Sequence, residues 1–227
     1  MKNIGVLLSG NGVYDGSEIQ EAVFTLLSIA ENGASYKIMA PDIEQHHVLN
    51  HLNGEEMPEK RNVLIESARI ARGDIKNITD IDTSELDALV LPGGFGAAKN
   101  LTKWAFSGPD GEILPTVKNI IQKMHTEGKP IVGLCMGPTV IAKAFEGNDV
   151  VPTLTVGTTA ESSPYEIDAI SNGMENTGAV AEMKTVREIT VDSVNKIITA
   201  PCYMMDASIT DVRSNIKLAI NKLFEIL

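Results

Sequence analysis

The sequence predicts an α/β fold, a three-layer sandwich around a mainly parallel sheet with a late antiparallel hairpin. Three observations carry this expectation. Short apolar runs ending in turn residues recur at 3–9, 36–40, 87–92 and 130–134, as strands buried on both faces do. Helical periodicities that stop at glycines lie between them. Near the end, "EITVDSVNKIIT" at 188–199 reads as two strands joined by a tight turn.

The first strand is "NIGVLLS" (3–9). In the helix after it, Ser17 and Gln20 suit a capping box. Ile19, Val23, Leu26, Leu27 and Ala30 share a face, and Gly33 can end the helix. With "YKIMA" (36–40) this completes a βαβ unit. A second helix is expected from about Glu59 to Arg72, before Gly73, and leads to the strand "DALVLP" (87–92). A third helix, from about Glu112 to Glu127 before Gly128, precedes the strand "PIVGL" (130–134). A last helix runs from Asp206 to Leu227, with Ile209, Val212, Ile216, Ala219, Ile220, Leu223 and Leu227 on one side.

The 227 residues suit one α/β domain, read as 1–227, because the 10 prolines and 19 glycines are scattered through short turns and no linker, repeat or low-complexity tract divides the chain. A net charge of −11 without a Lys/Arg cluster argues against nucleic acid and anionic membrane as partners, since both would be repelled. The apolar part of "MKNIGVLLSGNG" is too short for a signal peptide, and no run of 18 apolar residues occurs, so a cytoplasmic location is expected. There Cys135 and Cys202 read as free thiols, and two cysteines with no nearby His pair make a poor metal site.

In a parallel sheet the carboxyl ends of the strands lie on one edge, so "SGNGVYDGSEIQ", "LPGGFGAAKNL" and "GLCMGP" are expected to meet around one pocket. Gly133-Leu134-Cys135-Met136-Gly137 is a G-x-C-x-G arrangement between a strand and a helix, the context of a nucleophile elbow. The following helix's N–H groups and dipole would favour the thiolate. The bland reading of Cys135 is a small buried hydrophobe between turn glycines. Cys202, in "TAPCYMMD", lacks the elbow context and reads as packed.

"PGGFGAAKN" (92–100) offers successive backbone N–H groups with little side-chain bulk. It is either a plain turn or an oxyanion cradle, and it matches neither a dinucleotide fingerprint nor a P-loop. Beside a reactive cysteine, the N–H groups of Gly94 and Met136 become oxyanion donors, with Gly93 alongside. Glu18, just past the first strand, either complements the helix dipole or exchanges protons with the thiol and a bound substrate. Tyr14, Asp15 and Asn100 are expected to line or support the pocket. His46, His47 and His51 follow the second strand and could approach the pocket from there; a surface or packing role is the bland reading of each, and His51, inside "NHLNGE", is the one placed with the substrate-binding residues and the one to test.

Together "GGFGAAKNL", "CMGP", "GVYDGSEI", "NHLNGE", "RNVLIE" and "TAPCYM" resemble the ElbB-like glyoxalases. These are a group within the class I glutamine amidotransferase-like superfamily, which also holds the PfpI proteases and the Parkinson-associated deglycases. The resemblance runs over nearly the whole chain. It implies a flavodoxin-like sandwich, an elbow cysteine at Cys135 and the superfamily's acid at Glu18. It further implies conversion of glyoxal to glycolate without glutathione, an association with isoprenoid synthesis, and a homodimer.

The departures are as specific. PfpI-type proteases resemble one another in a histidine directly after the cysteine, where this chain has Met136. Amidotransferases carry a late histidine and glutamate, whereas the four histidines here are His46, His47, His51 and His125, and "PCYMMD" stands in the late position. Protease and glutaminase chemistry are therefore set aside. What remains is a Cys135 hemithioacetal with a small aldehyde, with Glu18 moving the proton and no cofactor or metal needed. The alternatives are a cysteine-based sensor or metabolite-binding protein, and a protein deglycase.

Overall fold

A computed structural model describes all 227 residues. Its strands are β1 Asn3–Leu7, β2 Ser35–Ala40, β3 Lys76–Asn77, β4 Ala88–Leu91, β5 Ile131–Leu134, β6 Thr153–Gly157, β7 Val180–Met183, β8 Thr190–Asp192 and β9 Ile197–Ala200. Its helices are α1 Ile19–Glu31, α2 Val63–Ile70, α3 Trp104–Ser107, α4 Pro115–Thr126, α5 Gly137–Phe145, α6 Ile167–Asn176 and α7 Ile209–Ile226. The main sheet has the order β3-β2-β1-β4-β5-β9-β8, parallel except for β8, which pairs antiparallel with β9. A separate parallel pair, β6 and β7, packs beside β9 and β8.

The expected sandwich and its late hairpin are both present. Strands β1, β4, β5 and β9 are apolar throughout or nearly so, because α2, α1 and α7 cover one face of the sheet and α4 and α5 the other. A continuous core runs from Ile4 to Leu223. The chain moves from β1 outward to β2 and β3, then returns to the other side of β1 to lay down β4. Strand order therefore reverses between β1 and β4, and a crevice opens at their carboxyl ends.

Helix α1 departs from expectation in two ways. Its N-cap is Glu18, not Ser17: the Glu18 carboxylate accepts the Glu21 N–H at 2.6 Å, while the Ser17 hydroxyl accepts the Ser9 N–H at 2.9 Å. Its buried face is Glu21, Ala22, Thr25, Ser28 and Ile29, and the expected Ile19, Val23 and Leu27 lie exposed. The polar residues tolerate burial because the Thr25 and Ser28 hydroxyls donate to the carbonyls of Glu21 and Phe24, at 2.8 and 2.7 Å.

The later helices are shorter than their periodicities suggest. Asn62, itself extended, caps α2 by accepting the Ile65 N–H at 3.0 Å, so the helix starts at Val63 and not near Glu59. Pro115 starts α4, and Ser208 starts α7 with a reciprocal capping box to Asp211. The segment β6-α6-β7 was not anticipated.

Candidate active site

Strand β5 delivers its last residue, Leu134, to the sheet edge, and Cys135 then takes φ +55°, a conformation that non-glycine residues adopt only under constraint. Its N–H still donates to Ala200 on β9 at 2.9 Å, so the sheet fixes the strained residue in place. Helix α5 begins two residues later, held against β4 so closely that a Cβ at Gly137 would stand 2.7 Å from the Leu91 carbonyl oxygen. The elbow geometry expected from G-x-C-x-G is present, with Cys135 only 5% exposed.

The carboxyl group beside this thiol belongs to Glu21, one turn beyond Glu18. Glu21 is fully buried. It accepts the Gly93 N–H on Oε2 at 3.1 Å and the Tyr203 N–H on Oε1 at 3.2 Å, and it lies within hydrogen-bonding reach of the Cys135 thiol. Only glycine fits at position 93, because a Cβ there would lie 2.3 Å from Cys135 Cβ and 2.5 Å from Glu21 Oε2. Glu18, expected beside the thiol, is instead occupied with capping α1, half-buried, and its own N–H donates to the Gly93 carbonyl at 2.9 Å.

The backbone N–H groups of Gly94 and Met136, expected as oxyanion donors, act here on the Cys135 sulfur itself. They do not yield the low-pKa thiolate anticipated from the helix N-terminus. Burial first, and the Glu21 charge second, push the Cys135 thiol well above its ordinary range, and the two N–H groups only moderate this. Burial, then the Glu18 carboxylate, likewise raises Glu21 from 4.5 to about 8. The direction is upward for both, because two negative charges in one dry space are unfavourable. At neutral pH the pair keeps protons that two separate groups in water would share differently.

A cavity of about 650 Å³ is walled by Tyr14, Leu49, His51, Phe95, Lys99 and Tyr165 with Leu52, Asn53 and Gly54; Cys135 and Glu21 are outside its lining, and Tyr165 is the wall residue on which their charges act. Tyr165 stands against Phe95 with ring centroids 5.6 Å apart, and burial together with the charges of Cys135 and Glu21 pushes its phenol up to about 12. Glu18 faces a second, smaller cavity, which shares Tyr14 and Tyr165 with the first. Of the expected lining residues, Tyr14 is a wall and His51 stacks on it at 4.8 Å. Both His51 ring nitrogens are engaged: Nδ1 pairs with the Leu49 carbonyl at 3.1 Å, and Nε2 accepts the Tyr14 N–H at 3.2 Å.

Asp15 and Asn100 support rather than line the cavity. The buried Asp15 carboxylate accepts the Leu49 N–H at 2.6 Å. Asn100 donates to the carbonyls of Ser9 and Asp15, both at 2.9 Å, and accepts the His46 N–H at 3.0 Å. These bonds tie the loop after β2 to the loop after β1 and to the π-helical turn Ala97–Leu101. Sequence reasoning missed Glu21, Tyr165, Tyr203 and Lys99. A signal for Glu21 existed in the Glu21-Thr25-Ser28 spacing, which places small polar residues on one helical face.

A family model described as "DJ-1/PfpI family" matches residues 13–200. The human "Glutamine amidotransferase-like class 1 domain-containing protein 3, mitochondrial" is 38% identical over 227 residues, covering 98% of this chain and 82% of that one. A zebrafish "ES1 protein, mitochondrial" is 28% identical over 90% of this chain and 77% of its own length. Among solved structures, an "isoprenoid biosynthesis protein with amidotransferase-like domain" from Ehrlichia chaffeensis superposes with a TM-score of 0.90 at 32% identity, covering 100% of this chain and 99% of that chain. Drosophila melanogaster DJ-1beta, 16% identical with a TM-score of 0.55 over 99% of this chain and 95% of its own, shares the fold. No helix here is long and apolar enough to cross a membrane.

Proposed function

Because this chain belongs to the DJ-1/PfpI family, with the class I amidotransferase-like fold, we propose that it is a glutathione-independent glyoxalase in which Cys135 captures glyoxal and Glu21 moves the protons. The observation that carries the proposal is the enclosed pair of Cys135 and Glu21 under two convergent N–H groups, with no histidine beside them.

The chemistry balances without an external oxidant. Sulfur adds to one aldehyde carbon and its proton passes to the carbonyl oxygen, giving a hemithioacetal whose oxygen is held by the Gly94 and Met136 N–H groups. In the fraction of molecules in which Glu21 is ionised, its carboxylate removes the hydrogen from the carbon bonded to sulfur, forming an enediol, and returns it to the neighbouring carbon. One carbon is oxidised to a thioester as the other is reduced to an alcohol. Water then releases glycolate and restores the thiol. A carboxyl group held near pKa 8 suits this exchange, since a group poised near the working pH both takes and returns the proton. The name of the Ehrlichia relative supports keeping an association with isoprenoid biosynthesis in the proposal.

The test is glycolate formed from glyoxal by purified protein without glutathione or metal, followed by NMR beside Cys135→Ser. Many glycolates per protein, lost in the variant, are expected. Stoichiometric loss of glyoxal with no glycolate would overturn catalysis and leave a metabolite-binding thiol.

A further inference from the structure

The cavity walled by Phe95 and Tyr165 is far larger than a two-carbon dialdehyde requires. At about 650 Å³ it falls in the range of pockets that hold ligands of many atoms. Its walls are mainly apolar and aromatic, and one cation projects among them. Lys99 is half-buried on the π-helical turn after β4, with its ammonium 5.6 Å from the Phe95 ring centroid. Its hydrogen bond is to the Tyr14 carbonyl at 2.8 Å, and no carboxylate oxygen lies within 4.0 Å. In a chain of net charge −11, a half-buried lysine without an anionic partner is a costly arrangement, and burial pulls its pKa down. The acids that act on it from a distance are Asp15, held by the Leu49 N–H, and Glu56, on the exposed segment after β2.

We infer that this cavity takes a carbonyl compound carrying a carboxylate, with the carboxylate on Lys99, the chain of the ligand against Phe95, Tyr14 and Tyr165, and the carbonyl carried beyond these walls to Cys135, whose charge acts on Tyr165 and whose sulfur is met by the N–H of Gly94, the residue before Phe95. The inference rests on the proposed role of Cys135 and names the substrate class beyond glyoxal. A singly charged group matches the site better than a phosphate. There is one lysine, already sharing a backbone carbonyl, with no arginine in the cavity wall, and a second negative charge would stand uncompensated in the field of Asp15 and Glu56. A lysine is a point charge on a flexible stem, so it accommodates carboxylates at more than one chain length.

The experiment measures protection of Cys135 from iodoacetamide by 4-oxobutanoate and by its uncharged methyl ester, in the wild type, Lys99→Met and Lys99→Arg, with alkylation read by mass spectrometry. The acid is expected to half-protect at about one-tenth the concentration of the ester in the wild type and in Lys99→Arg, since about 1.4 kcal/mol is a tenfold difference in affinity. In Lys99→Met the two concentrations should converge. Equal protection by acid and ester in the wild type, an unchanged ratio in Lys99→Met, or no protection by either would overturn the inference. Glycolate formation from glyoxal, which has no tail to reach Lys99, reports separately on the proposed activity, so either conclusion can fail without the other.

Discussion

At Glu21 the protein holds a carboxyl group that it cannot easily ionise, and two predictions belong to that residue. Glu21→Gln should lower glycolate formation by at least about a hundredfold, within the range of general acid–base effects. Glu18→Gln, which keeps an oxygen to cap α1, should change it by less than about threefold by the same measure of proton transfer. NMR turnover assays on both variants decide which glutamate the chemistry uses. The second prediction concerns pH. Glu21 is raised from 4.5 to about 8, so between those values the folded protein binds a proton that the unfolded chain has released. Its contribution to stability is complete below pH 4.5 and is lost as pH rises through about 8. The Tm of Glu21→Gln should therefore gain on the wild type as pH rises across that window, and parallel curves would contradict this. Gly93→Ala should cost more than about 2 kcal/mol in urea denaturation, because its methyl group has nowhere to go between sulfur and carboxylate. Cys135 could be singled out from sequence because an elbow is a local pattern. Glu21 could not, because the decision between two glutamates three residues apart rests on how α1 seats against the sheet.

At the scale of elements, the loops are held by side chains, and Asn100 joins three of them. Asn100→Ala leaves the Ser9 and Asp15 carbonyls unpaired in buried positions and should destabilise by about 1–3 kcal/mol in urea titration. Strands β1, β2, β4 and β5 were readable as apolar runs because both of their faces are covered. Strands β6 and β7 were not, because β6 is anchored by side chains rather than by a long apolar run: the Thr155 N–H donates to the Thr199 hydroxyl and the Thr153 N–H to Asp192, both at 2.9 Å. The face of α1 was misjudged for a related reason. Hydroxyls satisfied by their own helix are inexpensive to bury, which a count of apolar residues overlooks.

Over the whole molecule, β1 and β4 sit at the centre of the sheet while residues 51–60 are all exposed. Hydrogen exchange should therefore find the amides of β4 and β5 near the slow limit of global unfolding and those of 51–60 among the fastest. Exchange in this last segment should slow when 4-oxobutanoate fills the cavity, since His51, Leu52, Asn53 and Gly54 form part of its wall. The convergence of three loops at one edge was legible from strand order alone, and "NHLNGE" pointed to His51; the closure of the cavity was not, because Leu49 and Tyr165 belong to no motif and meet only in the fold. The enclosure of Cys135 also bears on how the protein ages. Peroxide and dissolved oxidants attack the thiolate, and here burial and a neighbouring carboxylate keep sulfur protonated until a carbonyl guest supplies a place for its proton. Such a molecule should keep its reactive sulfur through long exposure to air, and lose it only to electrophiles small enough to reach a thiol that is almost wholly buried.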